Sequence, residues 1–293
     1  MKPLHLDQIH NGPFTDLCDF IWSDDVSRSK KSGVYDYYVG ISEKHGKPLV
    51  DHTNIPASGV IFVGMCHLLE EVFSKLPNKG SYIIVHRTND RPYTEAMNAV
   101  KPSCVKHVYT VDCRGKFENV TAIPFGNASI MGFDPFIGEA VESPVECSNK
   151  LLFVRYNVNP DTPHRNESLK ILRGKSFATV IEHQIPQDEF YRLCKTHLFT
   201  MALAGCGADA SRQWTAIQLG SIPIVTDCPE MRHFEDLPLI YCPKDMNEIT
   251  HEWLDNKWRE MQAFINNGIV STDRMRMSYW QKHLTEKRNE HGI

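Results

Sequence analysis

The run HLFTMALAGCGADASRQWTAIQLGSIPIVTD, residues 197–227, holds the densest set of residues that can do chemistry. An apolar stretch leads into a turn containing Gly205 and Gly207. A helical segment opens at Ser211 and stops at Gly220, and a second apolar stretch ends at Asp227. Ligands of open α/β sheets bind at such strand-to-helix turns. The glycines let a ligand approach the backbone, and the N–H groups that open a helix favour a phosphate. Arg212 falls in the first helical turn, where the helix dipole disfavours a cation. A bound anion would account for it; otherwise Arg212 simply points to solvent and the glycines only shape the turn.

A competing chemistry uses the same residues. Gly205-Cys-Gly207-Ala-Asp-Ala210 fits the dinucleotide fingerprint, and Asp227 follows at about the 20-residue spacing of a ribose-binding acid. Against it stand the late position of this turn in the chain and Pro223 within the second strand.

The surrounding elements must position these groups. From Val60 the chain alternates short apolar runs with helical spacing: VIFVG (60–64), YIIVH (82–86), VKHVYTVD (105–112) and NVTAIPFG (119–126) read as strands. Before that, VYDYYVGIS (34–42) is the best strand candidate. Residues 127–149 lose periodicity and read as a connection. The alternation restarts with LLFVRYN (151–157), FATVIEH (177–183), HLFTMALAG (197–205), SIPIVTD (221–227) and LPLIYC (237–242). Helices are expected over MCHLLEEVFSKL, TEAMNAV, NESLKILRG, PQDEFYRLCKTH and two C-terminal stretches, the last capped by Ser271 or Asp273. Strands and helices alternating in this way favour parallel sheets covered on both faces. The expected class is α/β: two Rossmann-like domains, 1–140 and 141–270, facing a cleft, with a helical tail, 271–293, whose Tyr279 and Trp280 suit packing back on the first domain.

The segment Asp209…Arg212-Gln-Trp214-Thr-Ala216-Ile…Gly220-Ser-Ile222-Pro223-Ile-Val225 resembles the exostosin-like glycosyltransferases. Their hallmark is an Asp, then Arg-x-Trp-Glu-Ala-Leu, two residues, and Gly-Cys-Ile-Pro-Val. EDLPLIYCPKDMNEITHEWL (235–254) and the stretch from VIFVG through HRTND to AIPFG are similar to that family as well, so the resemblance spans roughly residues 55–260. It implies a GT-B fold, with the acceptor on the first domain and a UDP-sugar on the second. It also implies inversion at the anomeric carbon with no obligatory metal or other cofactor. The chain's length suggests versions found in large algal viruses, where such enzymes build capsid glycans; this makes UDP-xylose the leading donor, with an oligosaccharide or glycoprotein as acceptor. One position departs: the Glu after the Trp, a ribose ligand in the family, is Thr215 here. That departure keeps a non-catalytic sugar-binding partner as an alternative.

An inverting transfer needs a base for the acceptor hydroxyl and positive groups for the departing diphosphate. Arg155 at a strand end, Arg165 before a helix and Arg212 form a candidate clamp, because a guanidinium binds phosphate oxygens in pairs. Gly207, Asp209, Ser211 and Thr215 complete the expected donor site, with Glu182 and His183 touching the uracil or ribose. Asp90, in the loop after YIIVH, is the favoured base and His86 the next; Asp36 and Asp16 follow.

Composition removes other classes. A net charge of −4 argues against a nucleic-acid protein. The 9 cysteines show no CxxC spacing and the 14 histidines no short ligand motif, so no metal site is expected. No apolar run is long enough to span a membrane, and the start of the chain lacks an export segment, so a cytoplasmic protein is expected.

Overall fold

The computed structural model describes residues 11–23, 42–64, 69–87, 92–126, 151–155, 162–205 and 207–293. Two parallel sheets organise them. The first has the order β2-β1-β3-β4-β5-β6, from β1 (Phe20–Trp22), β2 (Leu49–Val50), β3 (Ser58–Val63), β4 (Ser81–His86), β5 (Val105–Thr110) and β6 (Val120–Ala122). Its helices include α1 (Asn11–Asp16), α2 (Leu69–Lys75) and α3 (Glu95–Ala99). Val60 to Val63 and Tyr82 to His86 are all buried, as strands covered on both faces require, and this explains their unbroken apolar runs. Thr94 caps α3 by accepting from the Met97 N–H.

The second sheet has the order β11-β10-β9-β7-β8, from β7 (Leu152–Val154), β8 (Ala178–Val180), β9 (Phe199–Ala202), β10 (Ile222–Val225) and β11 (Ile240–Tyr241). Its connecting helices are α4 (Pro163–Leu172), α5 (Gln187–Thr196) and α6 (Ser211–Gln218). Gly174 and Gly220 follow α4 and α6 with φ of 75° and 82°, the left-handed backbone that ends a helix without steric cost. Pro223 does not break β10. The Ile222 N–H donates to the Leu198 carbonyl on the β9 side, so the Pro223 nitrogen faces the other edge. There β11 begins only opposite Ile224, and no donor is missed.

The chain divides into two compact units. One holds β1–β6 together with Met277–Ile293; the other holds β7–β11 with the segments up to Arg276. In the second, α7 (His251–Asn266) adds Leu254 and Met261 to the core, with Trp253 and Trp258 packed against it. In the first, α8 (Met277–His291) buries Met277, Trp280 and Leu284 against Val60, Phe62, Ile83 and Tyr109. Tyr109 Oη lies 2.7 Å from His283 Nδ1, and Arg288 reaches both carboxylate oxygens of Asp19 at 3.0 Å. Ser271 accepts from the Asp273 N–H, but this heads a 3-10 turn, Asp273–Met275; the helix proper starts at Met277. The strand expected over 34–42 lies outside the described residues except for Ser42, and the connection at 127–149 lies wholly outside them. The short strands β1 and β2 have no counterpart in the sequence reading.

Candidate active site

The second sheet runs β8, β7, β9, β10 and β11 across its width, so its winding reverses between β7 and β9. That reversal is the place where open parallel sheets bind ligands, outside the carboxyl ends of their strands. Strand parity shows which way the connections leave. Leu152 and Val154 of β7 pack with Leu169 and Leu172 of α4. Phe153, between them, packs with Tyr191, Leu193 and Cys194 of α5 and with Leu219. Helices α4 and α5 thus cover opposite faces of the sheet. Arg155, the next residue, continues the Phe153 parity.

A cavity of about 130 Å³ opens there, lined by Arg155, Ile185, Gln187, Phe190, Ser211, Arg212 and Thr215. Two helix amino ends meet at it, since Gln187 is the first residue of α5 and Ser211 the first of α6. Neither end has a side-chain cap, but they differ in charge. The first turn of α5 carries Asp188 and Glu189, whereas that of α6 has no acid and contains Arg212. The α6 end therefore presents backbone donors, a positive dipole end and a guanidinium on one side of the cavity. Arg155 adds a second guanidinium, whose Nε is buried without a hydrogen-bond partner among the described residues. Such an arrangement suits an oxyanion with several acceptor oxygens.

Not every expected ligand residue joins this cavity. Arg165 is buried, and its Nε and Nη2 donate to the Leu203 carbonyl at 3.2 and 2.7 Å. Its guanidinium lies across Gly205, where an added Cβ would stand 2.7 Å from Nη2. The close approach that Gly205 permits is therefore to a protein side chain. Gly207 closes the turn through its carbonyl, which accepts from the Gly205 N–H. Asp209 is sealed inside, bound by Trp214 and Gln213. Glu182 pairs with Arg173 at the surface, and His183 is exposed and lines no part of the cavity. Asp227 is held by Arg232, Nε to Oδ1 and Nη2 to Oδ2, both at 2.8 Å.

No family model matches this chain, and no curated protein matches it. Solved structures similar to it include two glycosyltransferases. Pneumococcal O-GlcNAc transferase GtfA, in complex with UDP and GlcNAc, is 12% identical with a TM-score of 0.37, over 78% of this chain and 56% of that one. AviGT4, a glycosyltransferase involved in avilamycin A biosynthesis, is 12% identical with a TM-score of 0.39, over 83% of this chain and 76% of that one. The chain thus spans little more than half the length of GtfA. Likeness at this level transfers no residue's role.

Of the candidate bases, Asp90 and Asp36 lie outside the described residues, and Asp16 Oδ1 lies 2.6 Å from His45 Nδ1. His86 closes β4 and is 1% exposed, with Nδ1 3.0 Å from Thr110 Oγ1. Thr110 directs its own proton to the Val111 carbonyl, so His86 Nδ1 is the donor in that pair. Burial lowers the His86 pKa to about 4, and the ring is a neutral core group. Three cavity residues were not singled out from sequence: Ile185, Gln187 and Phe190. Gln187 and Phe190 stand one helical turn apart at the start of α5. That spacing was the available signal, but PQDEFYRLCKTH reads first as an amphipathic core helix.

Proposed function

We propose that this chain is a glycosyltransferase that moves a sugar from a UDP-sugar to a hydroxyl of a glycan acceptor. One observation carries the reading. Arg155, Arg212 and the uncapped amino end of α6 open on a single cavity where the winding of a parallel sheet reverses. Departure of a diphosphate concentrates negative charge on its oxygens, and fixed donors already aimed at that charge lower the barrier. The two guanidinium groups and the first-turn N–H groups of α6 perform that role, with Ser211 and Thr215 beside them.

The finer parts of the reading rest on the resemblance to exostosin-like transferases around Arg212. They are a GT-B arrangement with the acceptor on residues 1–140, inversion without an obligatory metal, and UDP-xylose as donor. Asp90 is the proposed base, taking the acceptor proton as the hydroxyl attacks the anomeric carbon from the face opposite the diphosphate. Against the dinucleotide reading, the Asp227 carboxylate that would hold a ribose is paired with Arg232.

Calorimetry with UDP and with NAD tests the donor assignment. UDP binding to the wild type, weakened about tenfold or more in Arg212→Ala, is the expected result. Binding of NAD without UDP would reverse the assignment. A nucleotide-sugar screen read by mass spectrometry then identifies the donor. Asp90→Asn should bind UDP normally and lose transfer; full transfer by that variant would place the base elsewhere.

A further inference from the structure

The cavity has two chemically unlike halves, and the difference orients its ligand. On the α6 side stand Ser211, Arg212 and Thr215, with Arg155 nearby. On the α5 side stand Ile185, Phe190 and the amide of Gln187. Ile185 and Phe190 belong to the apolar cluster around Phe153, and the Phe190 ring is held with its centroid 5.6 Å from that of Phe153 and 6.1 Å from that of Tyr191. Asp188 and Glu189 already complement the α5 dipole and repel a second anion from that end. A phosphate is thus drawn to α6 and excluded from α5. The remaining wall combines a fixed aromatic ring with a side-chain amide, which both donates and accepts. Such a wall suits an uncharged, planar, hydrogen-bonding group.

We propose that Phe190 and Gln187 form a nucleoside-recognising wall. The ligand would be a nucleoside diphosphate, with its phosphates on α6 and its base and ribose along α5. This rests on the cavity being the nucleotide-sugar site, and adds to it the two residues that set preference for a nucleoside over a bare diphosphate.

The experiment compares inorganic pyrophosphate with UDP by calorimetry, for the wild type, Gln187→Ala, Phe190→Ala, Phe190→Trp and Arg212→Ala. Wild type should bind UDP at least about tenfold more tightly than pyrophosphate. Phe190→Ala should erase most of that ratio while leaving pyrophosphate affinity unchanged, and Phe190→Trp should retain it. Gln187 is exposed, so Gln187→Ala probes the same half without touching the core, and should lower the ratio severalfold. Arg212→Ala should weaken both ligands alike. An unchanged UDP-to-pyrophosphate ratio in both Phe190→Ala and Gln187→Ala overturns the nucleoside wall while the phosphate site stands. Failure of the wild type to bind either ligand overturns the cavity assignment itself, and the wall with it.

Discussion

The indole N–H of Trp214 donates to the carboxylate of Asp209, five residues earlier, and both side chains are almost fully buried. Gln213 Nε2 adds a longer bond of 3.4 Å to the same oxygen, and the Trp214 ring meets Phe234 edge-on at 4.9 Å. The bond ties the turn before α6 to the body of that helix, and so fixes where Ser211 and Arg212 stand. Asp209→Ala leaves a buried indole N–H unpaired and should cost on the order of 2–3 kcal/mol in urea unfolding. Asp209→Asn keeps an acceptor oxygen and should lose less, with UDP affinity near that of the wild type. A large fall in affinity for a well-folded Asp209→Asn would mean that the carboxylate acts on the ligand directly.

Arg155 and Arg212 should behave in the opposite way. Each lines the cavity, so replacement by Ala should weaken UDP binding about tenfold or more, and Arg155→Ala should do so with little change in the unfolding midpoint. Raised salt should weaken wild-type binding as well, since the interaction is between charges partly open to water.

Arg165 belongs with the stabilising residues. Arg165→Met removes the donors to the Leu203 carbonyl and should lower stability by roughly 1–3 kcal/mol, read as a shift in urea midpoint. Gly205→Ala places a methyl against the guanidinium and should perturb the same turn. Equal stability of Arg165→Met and wild type would remove this role.

Two buried histidines make the first unit acid-sensitive. Burial lowers His86 to about 4; burial, then Lys287, His283 and His291, lowers His107 to about 3. Both sit below the ordinary value of 6.5, so the unfolded chain takes up protons that the folded chain refuses. Stability is full above that value and falls as pH drops from there towards the folded pKa values. The slope is on the order of 1 kcal/mol per pH unit for each group. His107 donates or accepts at Nε2 with Thr121 Oγ1, 2.8 Å away, so His107→Gln can retain that contact. Urea midpoints between about pH 7 and pH 5 should fall more steeply for the wild type than for His107→Gln. Parallel lines would exclude His107 as a source of the slope.

Trp280 anchors the C-terminal helix to the first sheet. It is 1% exposed and lies 6.2 Å from Phe14 between ring centroids. Trp280→Ala should cost about 3–5 kcal/mol by the usual penalty for emptying an aromatic core site. UDP binding, which depends on the other unit, should persist wherever the variant remains folded. Calorimetry beside urea unfolding separates the two effects.

Much of the fold could be read from local pattern alone. The buried parallel strands are unbroken apolar runs, the helices end at Gly174 and Gly220, and the alternation of the two is visible along the chain. The turn into α6, with Arg212 in its first helical turn, was legible for the same reason: dipole, backbone donors and charge all act within a few residues. Short β1 and β2 carried too few residues to show a period.

Which of the candidate groups share a site was decided by tertiary structure. Arg155 and Arg165 look alike in sequence, yet Arg155 lines the cavity while Arg165 is bound to Leu203. Strand parity and the packing of α4 and α5 on opposite faces of the sheet separate them. Gln187 and Phe190 join the cavity because α5 crosses over β7 and brings its amino end beside α6, and Asp209 leaves it because Trp214 folds back onto its carboxylate. Residue type and local spacing determine what each group can do. The winding of the sheet determines which groups meet.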